Sequence, residues 1–384
     1  MKRRIGHPSG AFGAALSSCA AGTLSAALMT GALAAFSAFS VFVVAEAQAA
    51  ERTTVVSVVG EAWQRTEPAA WQAVESGQRL PEEAWVRTGE EAAVRLIRAD
   101  GSMIRIDGGQ EQQLVPNLAE EESEGLSFFR MFREIFSGDY RARAAASRAI
   151  RDVDSFSSQV QLAQFYESEW TDLIHKSRLN EADIPRVFEA ASFYGDRALQ
   201  NRAVALTAML ARDFPQDAGF AVVARQSREA LGSPATLKMI KRSGGREGPV
   251  ASGDSVTAGD GLRLSYRSET ESYVYLYLHS IPASGPSSTT RVYPARGVGW
   301  ATEAQADLHL PDADDVYTLD AAVGREYFWV WSCAAPLTGK RTENEAVANL
   351  RSEIDRGEPL TDALVLQAAP VICTQGFAYA LDHR

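Results

Sequence analysis

The spacing of apolar side chains changes twice along the chain, and this change most constrains the fold. Apolar residues alternate with polar ones over residues 53–116, recur at helical spacing over residues 144–231, and alternate again over residues 249–384. A period of two is typical of strands, and a period near 3.6 is typical of helices. The sequence therefore predicts a multi-domain α+β protein with a small all-β domain, a helical middle and a C-terminal β-sandwich.

Two stretches of different composition set the predicted boundaries. Residues 120–124 read Glu-Glu-Glu-Ser-Glu, and residues 243–248 are rich in Ser and Gly. Like charges and small flexible residues both favour solvated linkers. The predicted segments are a leader or anchor at 1–50, a β domain at 51–117, an acidic linker with an amphipathic helix at 118–143, a helical domain at 144–235, a linker at 236–248 and the C-terminal domain at 249–384.

The amphipathic helix is predicted from residues 125–136, where four phenylalanines fall at helical spacing among charged side chains. We expect its aromatic face to pack between domains. The alternative is that this face docks on a membrane surface or on a partner, since arginines follow it closely.

The N-terminal segment has the layout of a secretory signal peptide. Lys2, Arg3 and Arg4 precede an apolar stretch at residues 20–45, which ends in the small-residue run Ala-Glu-Ala-Gln-Ala-Ala. This order of basic, apolar and Ala-x-Ala regions is typical of cleaved leaders. The stretch is also long enough for a retained membrane anchor. Both alternatives predict that the rest of the chain is exported to the periplasm or cell envelope.

Charge and cysteine usage narrow the class of protein. The net charge is −11, so the chain lacks the basic footprint that nucleic-acid binding needs. Export removes the protein from a reducing compartment, and an even pair of cysteines then favours a disulfide. Cys333 and Cys373 are the candidate pair, and two buried thiols are the alternative.

The first β segment resembles the FecR domain family. The resemblance depends on a Val-rich strand ending in Gly60, on Gly77 and Leu80, and on the run VRTGEEAAVRLIRADGSMIRID at residues 86–107. Its Asp-Gly-Ser turn predicts a hairpin over residues 94–107. The resemblance implies an envelope module that accompanies other binding domains. The family's transmembrane signalling role is not expected, because too few residues precede the apolar stretch for a cytoplasmic domain.

Two weaker resemblances concern the rest of the chain. Tyr194, Ala203 and Pro215 have the mutual spacing of a tetratricopeptide motif, although one candidate repeat is too few for a stable array. The C-terminal part resembles a bacterial domain of unknown function that occurs beside FecR-like modules, through residues 259–262, the Tyr-rich run at 273–277 and later aromatic strands. That resemblance implies a β-sandwich and no particular activity.

The sequence contains no recognised catalytic or metal-binding motif, and we predict no catalytic residue, no metal and no cofactor. His279 and His309 are interpreted as ordinary strand residues. One concentration of aromatic side chains at period two forms either a binding face for a sugar or peptide or a buried core. Its members are Tyr273, Tyr275, Tyr277, Trp329 and Trp331.

These observations predict a non-enzymatic, exported cell-envelope protein that binds, scaffolds or senses through protein or glycan contacts. One alternative is an envelope hydrolase whose carboxylates are brought together by folding, for which Asp254, Asp260 and Asp312 are candidates. The other alternative is an adaptor that holds a protein partner on its helical middle.

Overall fold

The computed structural model describes residues 52–114, 128, 129, 132, 135, 156–195, 197–297, 299–311, 315–338 and 340–384. These residues form helices and mostly antiparallel sheets, so the predicted α+β class is confirmed. The predicted leader, most of the segment at 118–143, and Asp312 lie outside them. Within the described ranges, no helix has the length and apolar character needed to cross a membrane.

The helices are α1 (Phe156–Ile174), α2 (Ile184–Tyr194), α3 (Gln200–Asp213), α4 (Ala218–Leu231), α5 (Lys340–Asp355) and α6 (Asp362–Ala368). The strands are β1 (Arg52–Val59), β2 (Ala62–Arg65), β3 (Gln72–Ala73), β4 (Arg79–Pro81), β5 (Trp85–Thr88), β6 (Ala93–Ile97), β7 (Met103–Ile106), β8 (Glu111–Gln113), β9 (Ala235–Ser243), β10 (Arg246–Val250), β11 (Ser255–Val256), β12 (Gly261–Ser268), β13 (Ser272–Pro282), β14 (Ser288–Tyr293), β15 (Ala301–Thr302), β16 (Asp307–Leu310), β17 (Tyr317–Thr318), β18 (Gly324–Cys333) and β19 (Cys373–His383).

The N-terminal unit, residues 52–114, consists of two four-stranded antiparallel sheets, in the orders β4-β1-β6-β7 and β3-β2-β5-β8. Strands β6 and β7 pair with Val94 opposite Ile106, so they form the predicted hairpin. Its turn includes Gly101, whose φ of 82° lies in the left-handed region that glycine tolerates. Apolar side chains from both sheets, such as Val86 and Leu96, share one buried core.

One face of the second sheet carries a stack of tryptophan and arginine side chains. In the register of β2 and β5, Trp63 lies opposite Arg87, and Arg65 lies opposite Trp85. The Arg65 and Arg87 guanidinium carbons lie 4.7 and 4.6 Å from the centroid of the Trp71 ring. Cation–π contacts of this kind hold half-buried side chains together without an apolar layer above them.

The helical unit, residues 156–231, contains α1 to α4 and lies within the predicted helical domain at 144–235. A 3-10 turn at Glu181–Asp183 leads into α2, and a capping box begins that turn: the Asn180 side chain accepts from Ala182 N while Asp183 accepts from Asn180 N. Phe132, from the predicted amphipathic helix, is buried in the helical core and stacks on Phe188 with ring centroids 5.5 Å apart.

The helical unit shares its core with both β units. Val56 of the N-terminal unit and Ala334 and Ala335 of the C-terminal unit belong to the same buried cluster as the helices. We call the contact between the N-terminal unit and the helical unit the first junction. There, a Cβ on Gly219 would lie 2.2 Å from the Arg98 carbonyl oxygen, so only glycine permits this close approach. The three predicted parts therefore pack together over the described residues.

A buried carboxylate fixes the first junction. Asp217, directly before α4, accepts a hydrogen bond from Thr54 Oγ1 at 3.0 Å. It also accepts from Nε and Nη2 of Arg79 at 2.8 and 2.9 Å. Because Arg79 presents two parallel N–H groups to the two oxygens, the pair is both charge-assisted and specific in orientation.

The C-terminal unit, residues 235–384, is built on two sheets packed face to face. One has the order β10-β9-β12-β16 with β17 beside β12, and the other has the order β11-β19-β18-β13-β14 with β15 beside β13. Leu264 from the first sheet and Leu276 and Val330 from the second meet in one buried cluster. A hydrogen bond of 2.7 Å between Tyr266 Oη and Ser332 Oγ also joins the two sheets.

The predicted linker at residues 236–248 is instead a hairpin of this sandwich. Strands β9 and β10 pair antiparallel, with Ser243 directly opposite Arg246. Gly244 and Gly245 have φ values of 54° and 79°, which suit a two-residue hairpin turn. The Gly-rich run that predicted a linker is thus the turn, and the C-terminal unit begins at Ala235 rather than at residue 249.

Helices α5 and α6 lie between β18 and β19 in sequence and cover the second face of the larger sheet. Leu350 and Ile354 of α5 and Val365 of α6 are buried against aromatic side chains of β13 and β18. The C-terminal unit thus adds two helices to the predicted β-sandwich. The larger sheet is consequently buried on both faces.

Candidate functional site

The predicted aromatic binding face lies beneath α5 and α6. Tyr275 is opposite Trp331 and Tyr277 is opposite Trp329 in the β13–β18 register, and these four side chains are buried. Tyr273 is half-buried at the edge of the same cluster. The period-two pattern identified one face of the sheet correctly, but the structure makes that face a core rather than a surface for a sugar or peptide.

The polar groups of this aromatic cluster form hydrogen bonds with the segment that contains α5 and α6. Trp331 Nε1 donates to the Val365 carbonyl at 3.0 Å, and Leu337 N donates to Tyr275 Oη at 2.7 Å. Tyr277 Oη donates to Glu343 Oε1 at 2.6 Å. Because buried polar atoms need such partners, these bonds fix α5 and α6 in position over the sheet.

Burial of these tyrosines predicts a loss of stability in alkali. Burial raises the pKa of Tyr275 to about 12, and burial together with the Glu343 carboxylate also raises the pKa of Tyr277. Unfolded tyrosine ionises near pH ~10. Above that pH the unfolded chain loses protons that the folded chain keeps, so the free energy of unfolding falls by up to about 1.4 kcal/mol per pH unit for each group.

Urea unfolding at a series of pH values between about 9 and 11 tests this expectation against the ordinary tyrosine pKa. The midpoint should fall with pH in the wild type and fall less steeply in Tyr277→Phe. Equal slopes for the two proteins would contradict the assignment to Tyr277.

The candidate disulfide is present in the structure. Cys333 and Cys373 lie opposite each other where β18 and β19 meet, with an S–S distance of 2.06 Å. The bridge closes the segment that carries α5 and α6, since both helices lie between the two cysteines. The disulfide therefore joins the two ends of the helical segment that packs over the aromatic cluster.

The carboxylates considered for a hydrolase serve separate turns where the structure describes them. Asp254 accepts from Ala251 N at 2.8 Å, and Asp260 accepts from the backbone N–H and the hydroxyl of Thr257 at 2.9 and 3.0 Å. Each caps its own loop. Across the described ranges, no group of three or more His, Cys, Asp or Glu side chains has the arrangement of a metal site.

A groove of about 880 Å³ opens between the edges of the two sheets. We call it the mouth groove, since it lies where edge strand β14 of one sheet approaches β16 and β17 of the other. Its volume is in the range of small-molecule and cofactor sites. Its lining residues are Val292, Tyr293, Pro294, Ala295, Arg296, Gly299, Trp300, Leu308, His309, Leu310, Pro311, Asp315, Val316 and Tyr317.

Trp300 is the most exposed aromatic side chain of this groove, with 87% of its surface accessible. Gly299, immediately before it, has a φ of 73°, so the chain turns sharply at the rim. Tyr293 and Tyr317 are half-buried and pack against the sandwich core. The groove therefore has fixed aromatic walls and one aromatic ring presented to solvent.

Three polar side chains lie among these apolar walls. Arg296 is exposed, while His309 and Asp315 are half-buried. His309 Nδ1 is buried and has no hydrogen-bond partner among the described residues. Gly261 on the neighbouring strand shapes the wall, because a Cβ there would lie 2.5 Å from the groove residue Val316. The groove thus combines aromatic surface with hydrogen-bond donors and acceptors.

No protein-family model matches the chain, and no curated protein matches it. The resemblances to FecR-like and tetratricopeptide modules stay predictions from the residues that carry them.

The sequence interpretation missed the mouth groove. Its residues come from β14, β16, β17 and the loops between them, and most are single apolar residues in short strands. One local signal was present in the run Gly-Val-Gly-Trp at residues 297–300. A tryptophan within a glycine-rich turn has little local structure to bury it, so it is a candidate for an exposed contact.

Proposed function

We propose that the chain is an exported protein of the bacterial cell envelope that binds a glycan in the mouth groove. The observation that carries this proposal is the exposed Trp300 ring beside the half-buried rings of Tyr293 and Tyr317. The electron-rich face of an aromatic ring attracts the weakly positive C–H groups on the face of a sugar. A groove with three such rings offers stacking surface to one or two sugar units.

The polar lining suits the same ligand class. Sugar hydroxyls both donate and accept, and the groove offers the donor Arg296 and the acceptor Asp315 beside the half-buried His309 ring. A few placed polar groups among apolar walls are the usual composition of a small-molecule site. A glycan is therefore favoured over a purely apolar ligand.

Three other features support the cellular setting. The N-terminal segment has the layout of a leader, the Cys333–Cys373 disulfide suits an oxidising compartment, and residues 86–107 resemble a FecR-like envelope module. The net charge of −11 disfavours nucleic acid as the ligand.

Trp300→Ala is expected to weaken binding of soluble peptidoglycan fragments about 10-fold, since it removes the most accessible stacking ring of the groove and such an aromatic contact contributes about 1.4 kcal/mol. Calorimetric titration of the purified full chain measures this effect. Binding in the wild type should also change the tryptophan fluorescence, because Trp300 is the most accessible aromatic ring in the groove.

Val323→Ala is the matched control, because Val323 is another exposed apolar side chain, 51% accessible, and it does not line the groove. It should bind as the wild type does. Absence of binding to any peptidoglycan or polysaccharide fragment, or equal binding by Trp300→Ala, would refute the proposal. Trp300-dependent binding of an envelope protein but of no glycan would assign the groove to a protein partner instead.

A further inference from the structure

A buried histidine joins strands β13 and β14 to helix α5. His279 on β13 is fully buried, and its Nδ1 lies 2.8 Å from Thr289 Oγ1 on β14. Its Nε2 lies 3.2 Å from Asp355 Oδ1 at the end of α5. The hydroxyl, imidazole and carboxylate therefore form a continuous hydrogen-bonded chain of the order that activates a nucleophile in acyl transfer.

The contact with Asp355 identifies the tautomer that the reaction would use. A carboxylate only accepts, so the neutral ring that bonds to Asp355 donates from Nε2 and has Nδ1 as the acceptor toward the Thr289 hydroxyl. Arg351 Nε donates to the other Asp355 oxygen at 3.2 Å and holds that carboxylate in place. This is the tautomer that a general base requires.

A second contact lies at the same ring nitrogen. The Ser288 carbonyl oxygen lies 3.1 Å from the same Nδ1. It gains a hydrogen bond only after Nδ1 has taken a proton, when both ring nitrogens donate to acceptors. The imidazolium that would form when Nδ1 takes a proton during reaction therefore has an acceptor at each ring nitrogen.

The hydroxyl also has room for a substrate. Thr289 lines a cavity of about 390 Å³, together with Arg291, Tyr277 and Asn344. Arg291 lies two residues further along β14 and so lies on the same face of the strand as Thr289. Glu343 and the Gly297 carbonyl orient its guanidinium through contacts of 2.9 and 3.0 Å. A positioned cation beside the nucleophile can stabilise a developing oxyanion.

We propose that this cluster, which we call the Thr289 site, hydrolyses an ester of a short acyl group. Thr289 Oγ attacks the acyl carbonyl carbon while its proton passes to His279 Nδ1. The bond to the alcohol oxygen then breaks, and the alcohol leaves with that proton. Water attacks the acyl-threonine by the same route, gives its proton to His279 and releases the acid, which restores the Thr289 hydroxyl. The site is separate from the mouth groove and does not depend on glycan binding.

The first test is ester hydrolysis and covalent labelling of the full chain. The wild type should release p-nitrophenol from p-nitrophenyl acetate with turnover, and a fluorophosphonate probe should modify the peptide that contains Thr289. Thr289→Val preserves the shape of the side chain but removes the hydroxyl, so it should lose both reactions. Thr289→Ser should retain them, because serine supplies the same oxygen with less steric hindrance.

Thr290→Val is the matched control, because the neighbouring side chain is exposed and does not line the cavity. Asp355→Asn tests the positioning role and should lower kcat about 100-fold or more with KM little changed. A purely structural role for the cluster would instead lower stability in these variants and leave the wild type inactive. Absence of hydrolysis and labelling in the wild type, or equal rates in Thr289→Val, would overturn the proposal.

Discussion

Asp217→Ala is expected to destabilise the protein by about 3 kcal/mol, because it removes the acceptor for both Arg79 and Thr54. Asp217 is almost fully buried and Arg79 is 29% exposed in its side chain, so the arginine would keep a partly desolvated charge without its partner. Urea unfolding at neutral pH measures this loss. The effect should exceed that of any surface ion pair.

The control for this variant is Asp107→Ala. Arg105 Nε and Asp107 Oδ1 lie 2.7 Å apart, close to the 2.8 Å between Arg79 Nε and Asp217 Oδ1, but both side chains are more than one third exposed. Exposed pairs of this kind contribute at most about 1 kcal/mol. If Asp217→Ala and Asp107→Ala shifted the unfolding midpoint equally, Asp217 would not be the anchor of the first junction.

Limited proteolysis of Asp217→Ala distinguishes local from global unfolding. Because Asp217 joins the N-terminal unit to the start of α4, its removal should expose residues 52–114 to limited proteolysis first. An Arg79→Leu, Asp217→Leu double variant should recover part of the stability, since no charge is then left unpaired.

Loss of the disulfide is expected to cost about 4 kcal/mol. Cys333 and Cys373 are 40 residues apart in sequence, and the entropy of closing a loop of that length in the unfolded chain gives this magnitude. The Cys333→Ala, Cys373→Ala variant avoids new free thiols at these positions. Its urea midpoint should fall well below that of the oxidised wild type.

Unfolding in the presence of a reductant is the control for the two cysteine substitutions. The reductant should lower the midpoint of the wild type to near that of the double variant and leave the double variant unchanged. Near-ultraviolet circular dichroism should weaken in parallel if the segment from α5 to α6 loosens over Trp329 and Trp331, which it covers. Equal stability of oxidised and reduced wild type would show that the bridge contributes nothing to the folded state.

Local patterns predicted the strands and helices well. The period-two spacing of Tyr273, Tyr275 and Tyr277 placed them on one face of β13, because side-chain direction in a strand depends only on the period of two. The Asp-Gly turn predicted the β6–β7 hairpin for a similar reason, since the turn geometry is encoded in four adjacent residues.

Features that depend on packing between distant segments could not be predicted from the sequence. Whether Tyr275 and Tyr277 faced solvent depended on where α5 and α6 would lie, and nothing in the strand itself contains that information. The Gly-Gly pair at residues 244–245 fits a linker as well as a hairpin turn until the partner strand is known. His279 and Asp355 are 76 residues apart, so their hydrogen bond has no local signal.

The shared core of the helical unit has a geometric consequence. Only residues 232–234 separate α4 from β9, and Asn201 Nδ2 and Gln375 Nε2 bond to backbone carbonyls across that junction. Val56 and Ala335 enter the helical core from opposite ends of the chain. Because both junctions are packed, the first β unit and the C-terminal sandwich with its mouth groove are held in one arrangement by the helices between them.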